Sequence, residues 1–162
     1  MKYQKHNDSS VPISIQLLFN NEKLDVMKVL CLMNAFANKS KKKRKVSEVV
    51  FYYSLVNFNL INLFEDKVDM KNIFTPSPNL YFRFQKNIKG ILLDMSHLGF
   101  LEVTGDVSKK LDEVTVKLLP EGKEFFEEHH SVFFLNLKEK YINTFDKVAF
   151  SMENVKVIKG ML

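Results

Sequence analysis

Between Phe84 and Phe126 the apolar residues change period twice, and that change limits the folds open to the chain. Phe84, Ile88, Ile91, Leu92 and Met95 recur at helical spacing, which predicts a helix ending near Leu98. Gly99 stands where a helix commonly closes in the left-handed conformation. Phe100 to Thr104 and Val114 to Leu118 are short strand-like runs, and a polar, glycine-containing stretch joins them. That pattern predicts a β-hairpin over residues 100–118. Pro120 then suits the first turn of a helix at "PEGKEFFEE". Only five Gly and four Pro in 162 residues argue against a turn-rich all-β fold. The expectation is a mainly α chain with one hairpin.

The remaining segments read as further helices. From Leu24 to Asn38, the residues Val26, Met27, Leu30, Met33, Phe36 and Ala37 mark a broad apolar face. Asn20 and Asn21 are candidate caps for this helix. A second helix is expected over 46–61, capped by Ser47. Val49, Val50, Tyr53, Val56 and Leu60 form one stripe, and Phe51, Leu55 and Phe58 form another. A helix apolar on two faces is central, or is covered by another chain. Pro76-Ser77-Pro78 marks a turn into the helix before the hairpin. A last helix is expected from Val132 to Phe150, and "MENVKVIKGML" is ambiguous. Residues 1–11 read as a flexible arm, and "VPISIQLLF" as a short strand or docking segment. We expect one domain, with 132–162 a C-terminal helical extension.

Charge is concentrated in one place. Lys39, Lys41, Lys42, Lys43, Arg44 and Lys45 carry six positive charges against a net +5, so the rest of the chain is close to neutral. An electrostatic partner should therefore meet the protein mainly at one spot. A lysine run in a connector neutralises phosphates and makes binding salt-dependent. Lacking interleaved aromatics, this run offers affinity for backbone rather than base reading. Two other readings stay open: a solvated loop, and a short import signal at "KKKRKV". On the helix before the hairpin, Arg83, Lys86, Asn87 and Lys89 are the expected exposed residues; Arg83, Lys86 and Lys89 are candidate nucleic-acid contacts, with ordinary solvation the other reading. Asp106, Asp112 and Glu113 accompany Lys109 and Lys110 in the hairpin loop, and such mixed charge suits a phosphate clamp poorly.

The chemistry-bearing residues are sparse. Cys31, the single cysteine, lies in "VLCLM" and reads as a small core residue. His129 and His130 are adjacent, so they point about 100° apart on a helix and do not form an i, i+4 metal pair. No Gly-rich phosphate loop, serine elbow or zinc spacing is present. No cofactor is expected. The start has no signal-peptide run, and no stretch of about 18 uncharged apolar residues follows. We expect a cytoplasmic, non-enzymatic protein that makes no membrane contact. Fifteen Phe and five Tyr exceed what one small core would need, which marks Phe51, Leu55, Phe58, Phe133 and Tyr141 as candidate partner contacts.

The stretch "ILLDMSHLGFLEV…DEVTVKLLPEGKEFFEE" resembles the wing region of winged-helix regulators of the MarR type, over about residues 80–128. Leu119-Pro120 stands where that pattern has Leu-Thr. The resemblance implies a winged-helix-like fold whose third helix and wing approach DNA. The chain's length, its helical first half and "KKRKVSEVVFYYSLVNFNL" also resemble the middle component of bacterial three-component ABC-ATPase systems. The small subunit of Lamassu-type anti-phage defence belongs with these. That resemblance implies a non-catalytic adaptor beside an SMC-like ATPase and an effector, often a nuclease, reaching DNA within the complex. A free homodimeric winged-helix regulator is the alternative.

Overall fold

The two longest apolar runs form two helices that are buried on every side over their central turns. The computed structural model describes residues 22–65 and 78–160. The arm at 1–11, the segment 11–19, the Asn20 and Asn21 caps and the Pro76-Ser77 turn lie outside them. Helix α1 spans Glu22–Lys39, and every residue from Val29 to Phe36 is buried. Its Asn34 stays inside because Nδ2 donates to Leu30 O at 2.9 Å. Glu22 and Asp25 in its first turn and Lys39 in its last complement the helix dipole. Helix α2 spans Val46–Asn57 and is buried continuously from Val49 to Leu55.

Helices buried all round need cover on all sides. It comes from α3 (Pro78–His97), α4 (Pro120–His129) and α5 (Val132–Lys147). α1 packs against α2, α3, α4 and α5, and α2 packs against α3 and α5. The expected C-terminal extension thus supplies part of the core: Leu137, Tyr141 and Phe145 of α5 are buried. A short helix α6 (Met152–Ile158) follows in the ambiguous tail, capped by Ser151, whose Oγ accepts from Asn154 N at 3.1 Å.

The hairpin forms where expected, with β2 at Leu101–Thr104 antiparallel to β3 at Thr115–Leu118. A two-residue strand, β1 (Arg44–Lys45), pairs with the other edge of β3 and makes a three-stranded sheet of order β1-β3-β2. Among the described residues the chain is therefore mainly helical with one small antiparallel sheet. α3 closes as Gly99 predicts. Its φ is 79°, Gly99 N–H donates to Ser96 O at 3.0 Å, and Phe100 N–H donates to Met95 O at 2.9 Å. This pair of bonds is the Schellman closure.

Three expectations need correction. Ser47 does not cap α2; the N-cap position is Lys45, and Val46 N–H donates to Val114 O at 2.9 Å. The sheet thus satisfies one of the free N–H groups at the start of the helix. α2 stops at Asn57 rather than 61, because Asn59 turns left-handed (φ 56°) into a 3-10 turn at Leu60–Phe64. α5 stops at Lys147 rather than Phe150. Val148 there is extended, and its carbonyl accepts from Tyr52 Oη at 2.8 Å.

Gly122 is where α4 meets the sheet. A Cβ there would lie 2.5 Å from Phe100 O, whereas one on Gly90, in the exposed middle of α3, would meet nothing within 4 Å. Gly122→Ala should therefore destabilise the protein by about 1–3 kcal/mol through overpacking. Gly90→Ala should stabilise it by about 0.5–1 kcal/mol through helix propensity. Urea unfolding of both variants beside the parent checks the opposite signs.

Candidate nucleic-acid interface

Strand parity divides the basic run. Arg44 is paired with Val116, and Val116 with Val103, so these three side chains share one face of the sheet. Val116 is fully buried, and that face is the core. Lys45, Thr115 and Thr104 share the outer face, as do Glu102 and Lys117. Arg44 accordingly points inward and is 8% exposed. Its guanidinium lies 4.6 Å from the Phe36 ring centroid, and Nη1 donates to Glu48 Oε2 at 3.4 Å.

The expected exposed connector at 39–45 is thus realised only in part. Arg44 and Lys45 are strand, and Arg44 is withdrawn from the expected set of solvent-facing phosphate contacts. Lys41, Lys42, Lys43 and Lys45 are exposed. Lys43 Nζ donates to Thr104 Oγ1 at 3.2 Å, at the root of the hairpin loop. Lys39 is turned toward α5, where Nζ lies 3.2 Å from Asp146 Oδ1 and 5.8 Å from the Phe145 ring centroid.

A second group of lysines gathers on the other side of that loop. Lys86 and Lys89 of α3 line a cleft of about 500 Å³ together with Lys109 and Lys110 of the loop and Lys159 after α6. Asp112 is the one acidic residue lining it. Tyr81 forms part of the wall, and burial, then the Asp112 charge, push its hydroxyl up to about 12. Lys159 Nζ lies 6.0 Å from the centroid of that ring. Arg83 and Asn87 are exposed on α3 but do not line the cleft.

The loop keeps its mixed charge, and hydrogen bonds within it fix the position of one carboxylate. Asp106 Oδ1 accepts from Ser108 Oγ at 2.7 Å and Ser108 N at 2.9 Å. Those bonds, with Lys89 nearby, hold its carboxyl below the usual range. Asp106 therefore organises the loop, while Lys109 and Lys110 turn to the cleft. The sequence reading missed Lys159. Its signal was the capping serine at Ser151, which marks α6 as a helix rather than a loose tail.

The candidate partner contacts separate sharply. Phe51, Leu55 and Tyr141 are 0% exposed and belong to the core, which removes them from any exposed surface of this fold. Tyr141 Oη accepts from Asn57 Nδ2 at 2.7 Å and lies 3.3 Å from Lys28 O, to which it donates. Phe58 is half-buried against Tyr53 and Phe84. Phe133 is 55% exposed and sits between Val132, at 72%, and Leu135, at 45%.

No cluster of three or more His, Cys, Asp or Glu capable of holding a metal occurs among the described residues. His129 and His130 each place Nδ1 3.0 Å from a carbonyl of their own helix, Phe125 O and Phe126 O. A carbonyl only accepts, so Nδ1 carries the proton in both rings. Cys31 is buried, and its Sγ donates to Phe134 O at 3.3 Å. No helix among the described residues is long and apolar enough to cross a membrane.

The split in the basic run has a measurable consequence. Arg44→Ala removes a buried cation–aromatic contact and strands Glu48, so it should cost about 1–3 kcal/mol in urea unfolding. Changing Lys41, Lys42, Lys43 and Lys45 together to Gln should cost no more than about 0.5 kcal/mol, as exposed substitutions usually do. Equal losses would contradict the inward placement of Arg44. The buried hydroxyls and thiol set the alkaline limit. Burial pushes Cys31 and Tyr52 up to about 12, and raises Tyr53 and Tyr141 well above the ordinary tyrosine value. These neutral groups contribute stability that is fully present below their unfolded pKa values, about 8.5 for Cys and 10 for Tyr. That stability is lost as the pH rises through the interval above them. Urea midpoints should be steady near pH 8 and fall beyond about pH 9; no decline by pH 11 would contradict this core. Comparison with protein-family models, curated proteins and solved structures gives no match to this chain.

Proposed function

We propose that this chain is a non-catalytic, winged-helix-like DNA-binding subunit of a larger assembly. The observation that carries the reading is the hairpin loop that joins two lysine groups. On one side, Lys109 and Lys110 share a cleft with Lys86 and Lys89 of α3. On the other, Lys43 is bonded to Thr104 at the loop's root, and Lys45 is paired with Thr115. A duplex laid along α3 and over the loop would meet both groups. The element order also supports it: helix, short strand, two helices, then a hairpin whose second strand pairs with the first strand. In a winged helix of that order, the helix before the hairpin enters the major groove.

Lysine is a compact point charge, so these contacts are to phosphate oxygens rather than base edges. Binding would be strong at low salt and weakly selective. Sequence choice would come from elsewhere in an assembly, in line with an adaptor beside an SMC-like ATPase and an effector nuclease, as in Lamassu-type defence. The exposed trio Val132, Phe133 and Leu135 is the apolar surface available for such a neighbour.

The test is affinity for a short duplex across a salt series. Changing Lys43, Lys45, Lys109 and Lys110 to Gln should weaken binding and flatten the log–log salt slope by up to about 3.6, at about 0.9 per phosphate contact. Identical slopes for parent and variant would refute the DNA reading. Gel filtration of the isolated chain then separates the two settings. A stable dimer that binds its own promoter fits a free regulator, whereas an adaptor should depend on co-expressed partners for good behaviour.

A further inference from the structure

Four of the five glycines have a reason inside the fold. Gly99, Gly105 and Gly160 are the ones with positive φ, and at Gly122 a Cβ would collide with Phe100 O. Gly90 has neither reason. It stands in the middle of α3, outside the positive-φ set, and a Cβ there would meet nothing within 4 Å among the described residues. A glycine inside a helix is less favourable than an alanine, and no contact at Gly90 offsets that cost. The remaining use of such a residue is the close approach of another molecule to the backbone.

Charge along α3 changes at this point. Before Gly90, the exposed residues include Arg83, Lys86 and Asn87, and Lys86 and Lys89 line the cleft with Lys109 and Lys110 of the loop. After it come Leu93, Asp94 and Leu98, apolar or acidic and all exposed. At 3.6 residues per turn, Arg83, Lys86, Asn87, Leu93 and Asp94 all fall within about 60° of Gly90 around the helix. Gly90 is thus a notch among longer side chains, at the limit of the basic half of α3. Cα atoms lie about 2.3 Å from a helix axis and side chains reach about 5–6 Å, so the notch lets a partner come roughly 3 Å closer. The lysines and Arg83 on one side attract a polyanion, and Asp94 repels it on the other.

We propose that the sugar–phosphate backbone of a DNA duplex crosses α3 at Gly90, closer to the helix axis than any side chain there would allow. The inference rests on the DNA reading and adds the point that fixes how far along α3 the duplex lies. Fluorescence anisotropy with a short mixed-sequence duplex, across a salt series, tests it on the full chain with Gly90→Ala and Gly90→Gln. Alanine and glutamine both favour a helix more than glycine does, so neither variant loses binding by unfolding. Urea midpoints no lower than the parent's check this. Gly90→Ala should weaken duplex binding several-fold, and the longer Gly90→Gln roughly tenfold or more, as an overpacked contact does. A variant that folds more stably and binds more weakly is the expected signature. Parent-like affinity of Gly90→Gln overturns the crossing point and leaves the DNA reading in place; no duplex binding by the parent removes both. Loss of a parent dimer on gel filtration of Gly90→Gln, at unaltered duplex affinity, gives the notch to a second copy of the chain and likewise overturns the proposal.

Discussion

The pairing of two residues, Arg44 and Lys45, with the edge of β3 joins the helical first half to the hairpin. Val46 N–H, bonded to Val114 O, continues the pairing into the first turn of α2. Through this short strand the hairpin caps α2, and the basic run acquires two faces. Without it, the five consecutive cations from Lys41 to Lys45 would be equivalent positions on a solvated loop. With it, the alternation of a strand sends one of them into the core and its neighbour to solvent. Arg44 suits the inner position because its planar, weakly hydrated guanidinium stacks on an aromatic ring, as a lysine ammonium would not.

Two of the aromatic groups pack where helices converge in the core. Phe36, Tyr52 and Phe145 meet where α1, α2 and α5 converge, with Phe36 and Phe145 stacked at 4.7 Å. Tyr53, Phe58 and Phe84 form the second group between α2 and α3, with Tyr53 and Phe84 stacked at 3.8 Å. Such ring pairs add about 0.5–1.5 kcal/mol each beyond area burial. The tyrosines remain compatible with this core because each buried hydroxyl finds a partner. Tyr52 donates to Val148 O at 2.8 Å and Tyr53 to Asp25 Oδ1 at 2.9 Å. Two fully buried helices consume far more ring area than a layered fold with half-buried helices would. That accounts for a phenylalanine count that looks excessive for the chain length.

Lysines reach both sides of the hairpin for different reasons. Those of α3 and the loop meet because the loop, held by the Asp106–Ser108 hydrogen bonds, brings Lys109 and Lys110 to the cleft that Lys86 and Lys89 line. Lys41, Lys42, Lys117, Lys123 and Lys138 line a separate hollow of about 590 Å³ because β1, the end of α1 and the start of α4 converge beside the sheet. Long-range repulsion among them is softened by salt over a Debye length of about 8 Å at physiological strength. The arrangement is thus tolerable in the free protein.

Local chemistry alone determined the elements around Gly99 and Pro120. A left-handed closure needs glycine, and a proline at the first helical position loses no hydrogen bond, so neither depends on distant contacts. The hairpin followed from period-two patterning, and α1 and α3 from helical spacing. The sequence could not determine which apolar stripe met a partner, because burial of Phe51, Leu55 and Tyr141 depends on α5 packing across α1 and α2. Nor could it separate Arg44 from its lysine neighbours. Strand parity acts only once a partner strand exists, and β3 lies some 70 residues away in the chain. Ser151 marks α6 locally, but only the packing of α6 brings Lys159 to the cleft. Spacing along the chain sets which residues share a face; only the tertiary structure decides what that face meets, because burial belongs to pairs of surfaces and not to one segment.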